Sequence, residues 1–333
     1  MRANTDWFVQ AKWGVFFHYL AEIHTPAEIL ETEEGVAHWN RLIDDFDVAG
    51  LAEQLAELRA GYFFITLGQN SGYFLSPNAT YDEIVGRRPS RLSQRDLVAD
   101  LSEALGKVGV PLMVYLPSAA PCRDPLAVRE LRCTPPWDAA LIGFPPESIF
   151  PEDGARTDER MTEFQQNWEA IVREWSVRWG KGVRGWWIDG CYQADRMYRE
   201  PDPPNFQSFA AAMKAGNPDS LVAFNPGVRV PVISHTEFED YTAGEIDAAL
   251  PVETQPTWET GHLGRYEAAA QYHILRYLGS TWGVGQPRFP DELMVAYTRY
   301  INQWEGVVTW DVPTQPGGLI PEPFFRQLRG LST

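Results

Sequence analysis

Two acidic residues stand out by their settings. Asp189 ends the stretch Gly185-Trp186-Trp187-Ile188-Asp189-Gly190. Val183 to Ile188 reads as a short buried strand, and Asp189-Gly190 reads as the turn that stops it. In a (β/α)8 barrel, chemistry sits at the C-terminal ends of parallel strands, where such an aspartate would stand. Trp186 and Trp187 would then face opposite ways, one into the barrel and one toward the helices. The second acid comes from the run His235-Thr236-Glu237-Phe238-Glu239-Asp240-Tyr241-Thr242-Ala243-Gly244-Glu245, the densest acidic loop in the later half. Glu245 follows Ala243-Gly244, a flexible approach to a site. Glu237, Glu239 and Glu259 are its rivals. Two carboxyl groups about 5–5.5 Å apart, one nucleophile and one acid/base, are what retaining glycoside hydrolysis requires. The bland alternatives are an aspartate that caps a loop and a solvated acidic loop.

Other chemistries find little support. The six histidines (18, 24, 38, 235, 262 and 273) show no metal-ligand spacing, so neither a metal nor a cofactor is expected. No Gly-x-Ser-x-Gly elbow and no phosphate-binding glycine loop occur. His18 ends the apolar run Lys12-Trp13-Gly14-Val15-Phe16-Phe17, as either a sugar contact or a hydrogen-bonded core histidine. A net charge of −17 argues against nucleic acid and anionic membrane as partners. Thirteen tryptophans and thirteen tyrosines offer faces on which sugars stack, although aromatic cores are commoner. Three cysteines give no disulfide framework, with Cys122–Cys133 the one conceivable loop pair. No apolar run approaches the ~20 residues that span a bilayer. The N-terminus has no apolar signal core, so a cytoplasmic location is expected, or a periplasmic or secreted one if a signal peptide has been removed. The sequence leaves the oligomeric state open.

The elements that must position these residues alternate. Strands are expected at 12–19, 62–67, 110–116, 183–188, 221–224 and 307–311. Helices are expected at 48–60, near 97–105, 161–175, 206–213, 265–278, from 290 to 304, and at 322–330. Residues 20–45 read as a long first loop, 118–156 as a proline-rich functional loop, and 281–283 as strand-like; 229–264 resists assignment. Strand–helix alternation implies parallel pairing with crossovers, and seven or eight units favour a closed barrel. The expected fold is therefore a single α/β domain over residues 1–333, a (β/α)8-type (TIM-like) barrel.

At these residues the chain resembles the family 29 glycoside hydrolases, the alpha-L-fucosidases. Lys12-Trp13-Gly14-Val15-Phe16-Phe17-His18-Tyr19 is similar to their first strand, and Gly61-Tyr62-Phe63-Phe64-Ile65-Thr66 to the entry of their second. Arg95-Asp96-Leu97-Val98 resembles the helix opening that follows. Trp187-Ile188-Asp189-Gly190 is similar to the motif of their nucleophile, and Asp240-Tyr241-Thr242-Ala243-Gly244-Glu245 to the segment of the acid/base in some members. Trp258-Glu259, Thr281-Trp282-Gly283 and Gly317-Gly318-Leu319-Ile320-Pro321-Glu322 keep the same order; the C-terminal β-sandwich common in that family is not expected here. One departure is large. Where the family carries Lys-His-His-Asp-Gly-Phe, this chain reads Gly68-Gln69-Asn70-Ser71-Gly72-Tyr73. Gln69 and Asn70 still donate and accept hydrogen bonds but carry no charge.

The resemblance implies a retaining exo-glycosidase of the alpha-L-fucosidase type, with Asp189 as nucleophile and Glu245 as general acid/base. His18, Gln69, Asn70, Tyr73, Trp187, Arg229, Glu259 and Trp282 are the expected sugar contacts. The alternatives are the same mechanism on another sugar, and a carbohydrate-binding barrel without turnover.

Overall fold

In the computed structural model of the chain, residues 2–133, 160–193, 197–247, 249–252 and 265–332 are described. Seven parallel strands form one sheet: β1 (Trp13–Phe17), β2 (Phe63–Thr66), β3 (Leu112–Pro117), β4 (Val183–Asp189), β5 (Leu221–Phe224), and then, past a small antiparallel hairpin of β6 (Tyr266–Glu267) and β7 (Ala270–Gln271), β8 (His273–Tyr277) and β9 (Val307–Asp311). Their order is β5-β4-β3-β2-β1-β9-β8. Helices fill the crossovers, and the chain has the (β/α)8-type barrel fold.

Strand alternation sorts the residues into two cores. Phe16, Phe64, Tyr115, Trp187, Ala223 and Leu275 turn inward and pack together. Val15, Phe17, Ile65, Val114, Trp186 and Ile274 turn outward and join the helices. Trp186 stacks on Trp179 of the long helix Thr162–Trp179, while Trp187 stacks on Tyr115 inside the barrel. The two tryptophans thus divide as their neighbouring positions require. Phe8, from the helix Asp6–Ala11, joins the inner core against Tyr62 and Tyr241 and plugs the N-terminal end.

The gap between β5 and β8 is spanned by the irregular segment 239–246. On one side, Gln271 N donates to Asp240 O, Thr242 N to Gln271 O, Leu275 N to Gly244 O and Ile246 N to Leu275 O, at 2.9 to 3.1 Å. On the other, Asp240 N donates to Val222 O (2.7 Å). Side chains complete that edge: Asp240 Oδ2 accepts from Val222 N (2.9 Å) and Glu239 Oε2 from Phe224 N (3.4 Å). Acidic side chains here take the place of ladder carbonyls, which satisfies backbone amides that burial would otherwise leave unpaired. Gly244 sits at φ 65°, and a Cβ there would lie 1.9 Å from His273 O. Only glycine lets the segment approach β8 this closely.

Some expectations need correcting. Residues 265–278 form the hairpin and β8, not a helix. The run Ala268-Ala269-Ala270 suits a helix locally, but Ala268 and Ala269 have positive φ and turn the hairpin. Pairing with β9 then fixes 273–277 as strand. Residues 20–45 are not one loop; they hold the helices Ala21–His24 and Glu33–Asp44. Thr32 caps the second of these, and Val36, Trp39 and Ile43 are its buried stripe. Their i, i+3, i+7 spacing is a helical signal that the reading of 20–45 as a loop passed over. Within 118–156, Pro125–Glu130 is a helix, and 134–156 lies outside the described residues. Thr281 and Val284 pair as an isolated antiparallel bridge, so 281–283 is a turn, not a strand.

Candidate active site

The C-terminal strand ends converge on one mouth. Asp189 closes β4, Asn225 follows β5, His18 follows β1, Asp311 closes β9, and Glu245 ends the inward run Tyr241, Ala243, Glu245. Asp189 and Glu245 are each half-buried. Asn225 joins them: its Nδ2 donates to Asp189 Oδ1 at 2.8 Å and to Glu245 Oε2 at 2.7 Å. Two bonds from one nitrogen hold those oxygens no farther apart than their sum, about 5.5 Å.

Asp189 is surrounded by donors. Oδ1 also accepts from Gly190 N (2.8 Å) and Tyr192 Oη (3.3 Å), and Oδ2 accepts from Tyr115 Oη (2.5 Å). Gly190 at φ 76° turns the chain so that its amide faces the carboxylate. Three donors thus converge on Oδ1 and one on Oδ2. Glu245 has a different environment. Burial, and then the negative charge of Asp189, push its carboxyl up to about 7, against a smaller downward effect of the Asn225 hydrogen bond. One acid fully supplied with donors beside one whose charged form is disfavoured is the division of labour that acid/base chemistry uses.

His18 is held from behind. Its Nδ1 lies 2.7 Å from Asp311 Oδ1, and Asp311 Oδ2 accepts from Gly283 N at 2.7 Å. The His18 ring packs on Phe16, Tyr115 and Trp282. Trp282 is half-buried beside Tyr277 at the rim. Gln69 donates from Nε2 to Tyr115 Oη at 2.7 Å, so it reaches the site through a protein partner. Asn70 accepts from the Cys122 thiol (3.1 Å), and its carbonyl accepts from Arg123 N.

The structure places three further expected sugar contacts as follows. Tyr73 is buried in the outer core, donates to Leu30 O at 2.7 Å and lies under the Arg91 guanidinium; its aromatic bulk completes packing. Trp187 is buried, stacked on Tyr115 with Nε1 donating to Ala243 O, and forms part of the floor. Arg229 is exposed on the loop after β5. Glu259 lies outside the described residues. Of the rival acids, Glu237 is exposed and Glu239 is buried against the barrel edge. Among the described residues, no group of three or more His, Cys, Asp or Glu is arranged to hold a metal ion.

Sequence reading overlooked Asn225, Tyr115, Tyr192 and Asp311 as site residues. Asn225 and Asp311 carried the same signal as Asp189, a polar residue where an apolar strand stops.

Comparison with solved structures now bears on this arrangement. The alpha-L-fucosidase AlfC from Lactobacillus casei, in complex with alpha-L-fucose product, superposes with a TM-score of 0.67 at 15% identity, covering 99% of this chain and 97% of that one. Two endo-fucoidan hydrolases of glycoside hydrolase family 107 are also similar: MfFcnA4 (TM-score 0.70, 17% identity, 98% of this chain and 53% of that one) and P5AFcnA (0.64, 14%, 97% and 90%). The barrel is the one these proteins share. No protein-family model matches the sequence, and curated sequences give no match.

Proposed function

We propose that the chain is a retaining exo-glycoside hydrolase of the alpha-L-fucosidase type, with Asp189 as nucleophile and Glu245 as general acid/base. The observation that carries this reading is the Asn225 bridge. It keeps Asp189 Oδ1 and Glu245 Oε2 no more than about 5.5 Å apart, which supports the close spacing of double displacement over the about 6.5–9.5 Å spacing that leaves room for an inverting water. The fold shared with an alpha-L-fucosidase and fucoidan hydrolases agrees with it.

In the first step Asp189 attacks the anomeric carbon, the glycosidic C–O bond breaks, and Glu245 gives its proton to the departing oxygen. The product is a glycosyl ester on Asp189. Esterification removes the charge that helped raise Glu245, so the same group becomes a better carboxylate. Glu245 then takes a proton from water, the hydroxide attacks the anomeric carbon, and Asp189 leaves. In this reading His18 and Trp282 hold the ring.

A second reading, the same chemistry on a sugar other than L-fucose, is favoured by Gln69. Its amide is engaged with Tyr115 and does not replace the family's paired histidines. The test is a panel of aryl glycosides followed by NMR of the first-formed product. Retention of anomeric configuration, a 2-fluoro-glycosyl label on the Asp189 peptide, and loss of turnover in Asp189→Ala with azide rescue are expected. An inverted product, or sugar binding without turnover, overturns the proposal.

A further inference from the structure

The chain Gln69–Tyr115–Asp189 has a direction. A tyrosine hydroxyl carries one proton and accepts through its lone pairs. Gln69 Nε2 donates to Tyr115 Oη at 2.7 Å, which fills the accepting side of that hydroxyl. Tyr115 must then deliver its single proton to Asp189 Oδ2. We propose that Gln69 is a positioning residue that acts through Tyr115, forcing the tyrosine proton onto Oδ2 of the nucleophile throughout the reaction. This rests on Asp189 being the nucleophile.

The geometry gives the device its purpose. Oδ1 of Asp189 is occupied by Gly190, Asn225 and Tyr192, while among the described residues Tyr115 alone donates to Oδ2. Oδ2 is therefore the freer oxygen for attack. When Oδ2 becomes an ester oxygen it is a poorer acceptor, and a free hydroxyl would rotate to a better one. Gln69 presents only N–H on that side, so rotation gains nothing. The proton stays aimed at Oδ2 and supports its departure as a carboxylate in the second step. Tyr115 is itself immobilised, buried and stacked on Trp187 at 5.3 Å.

The decisive comparison is between two substitutions. Gln69→Glu keeps the shape but offers an acceptor, which draws the Tyr115 proton away from Asp189. Gln69→Met removes the amide and offers no acceptor, so the proton stays. The proposal expects Gln69→Glu to lower kcat on aryl glycosides about tenfold to a hundredfold at pH 8, and Gln69→Met by a few-fold. A space-filling or general hydrogen-bonding role predicts the opposite order, since glutamate is the nearer isostere. The pH profile separates charge from direction. Among the described residues, the ionisable groups facing Tyr115 include His18 just after β1, Asp189 from β4, Tyr192 from the following turn and Glu245 from the closing segment. An added negative charge acting only by field would raise Glu245 and move the alkaline limb to higher pH. The directional role restores a donor when the introduced carboxyl is protonated, so activity returns on the acid side and the limb moves to lower pH. The hydroxyl proton is also read without turnover. A downfield resonance abolished by Tyr115→Phe is expected to persist in Gln69→Met and to shift in Gln69→Glu. A shift in that resonance with an inactive wild type would leave the hydrogen-bond direction standing and remove the hydrolase reading. Equal kcat for Gln69→Glu and wild type at pH 8, or an unmoved resonance, overturns the directional role.

Discussion

Glu239 and Glu245 lie six residues apart on one segment, both with carboxyl groups pushed upward by burial, to about 8 and about 7. By that measure alone Glu239 is the stronger site candidate. Its partners say otherwise. Glu239 Oε1 accepts from Ser234 Oγ and His235 N, both at 2.6 Å, and Oε2 from Phe224 N, and the residue is fully buried. It closes the barrel. Glu245 is half-buried, shares Asn225 with Asp189, and owes part of its shift to that aspartate. A perturbed acid marks a reacting site when its perturber is another reacting group at an open mouth, and marks architecture when it is fully buried and its oxygens are taken up by backbone amides and a neighbouring hydroxyl.

The sharpest way to break this contrast is Glu245→Gln. Proton transfer is worth ~10²–10⁴-fold, and kcat/KM on poor leaving groups should fall by that much, with far less loss on activated aryl leaving groups. The sign with pH follows from the protonated acid being the working form. Wild-type kcat/KM should decline as pH rises through about 7, and the variant should lose that limb. A pH profile for Glu245→Gln that still bends near that value would move the acid role elsewhere.

Glu239→Gln tests the other half. An amide has one oxygen where the carboxylate has two, so its NH2 must face a backbone or hydroxyl donor, at a cost of about 1–3 kcal/mol. Activity of the folded variant should stay within about threefold. The native state holds Glu239 protonated above the ordinary 4.5, so it binds more protons than the unfolded chain between 4.5 and about 8. Stability from this group is therefore greatest below that window and falls as pH rises through it. Glu245 and Glu169, both raised to about 7, add the same slope lower down. Thermal midpoints between pH 7 and 8 should thus be flatter in Glu239→Gln than in wild type. Parallel curves would show that the barrel edge does not depend on this carboxyl.

What the sequence disclosed follows the same division. A short apolar run cut off by one polar residue is legible, and it placed β1, β4, β5 and β9 together with His18 and Asp189. Partnership is not legible in this way. Tyr115 meets Asp189 because β3 and β4 pair in a register that sets Tyr115 beside Trp187, and Asn225 reaches Glu245 because the segment 239–246 closes against β5. Those contacts are products of barrel closure between distant parts of the chain. Spacing did not separate Glu239 from Glu245 either, since both have the parity that in a regular strand shares a face. The hairpin and β8 were lost for the converse reason, a locally helix-favouring run overruled by pairing with β9.

A modest effect is expected at the pair His18 and Asp311. Asp311 holds His18 Nδ1 with one oxygen and Gly283 N with the other. Asp311→Asn must set its NH2 against one of these two nitrogens. Against Gly283 it opposes a donor and loosens the turn that carries Trp282; against His18 it imposes the other tautomer. In both cases the His18 ring loses its fixed orientation, while Asp189 and Glu245 keep their partners. KM should rise about three- to tenfold with kcat nearly unchanged. If Asp311 acts through His18, adding Asp311→Asn to His18→Ala should change KM little further, and the double-mutant cycle should show a coupling close to the single effect. A fall in kcat at constant KM would instead place Asp311 in the proton-transfer path, and the boundary drawn between the reacting pair and the holding pair would have to be moved.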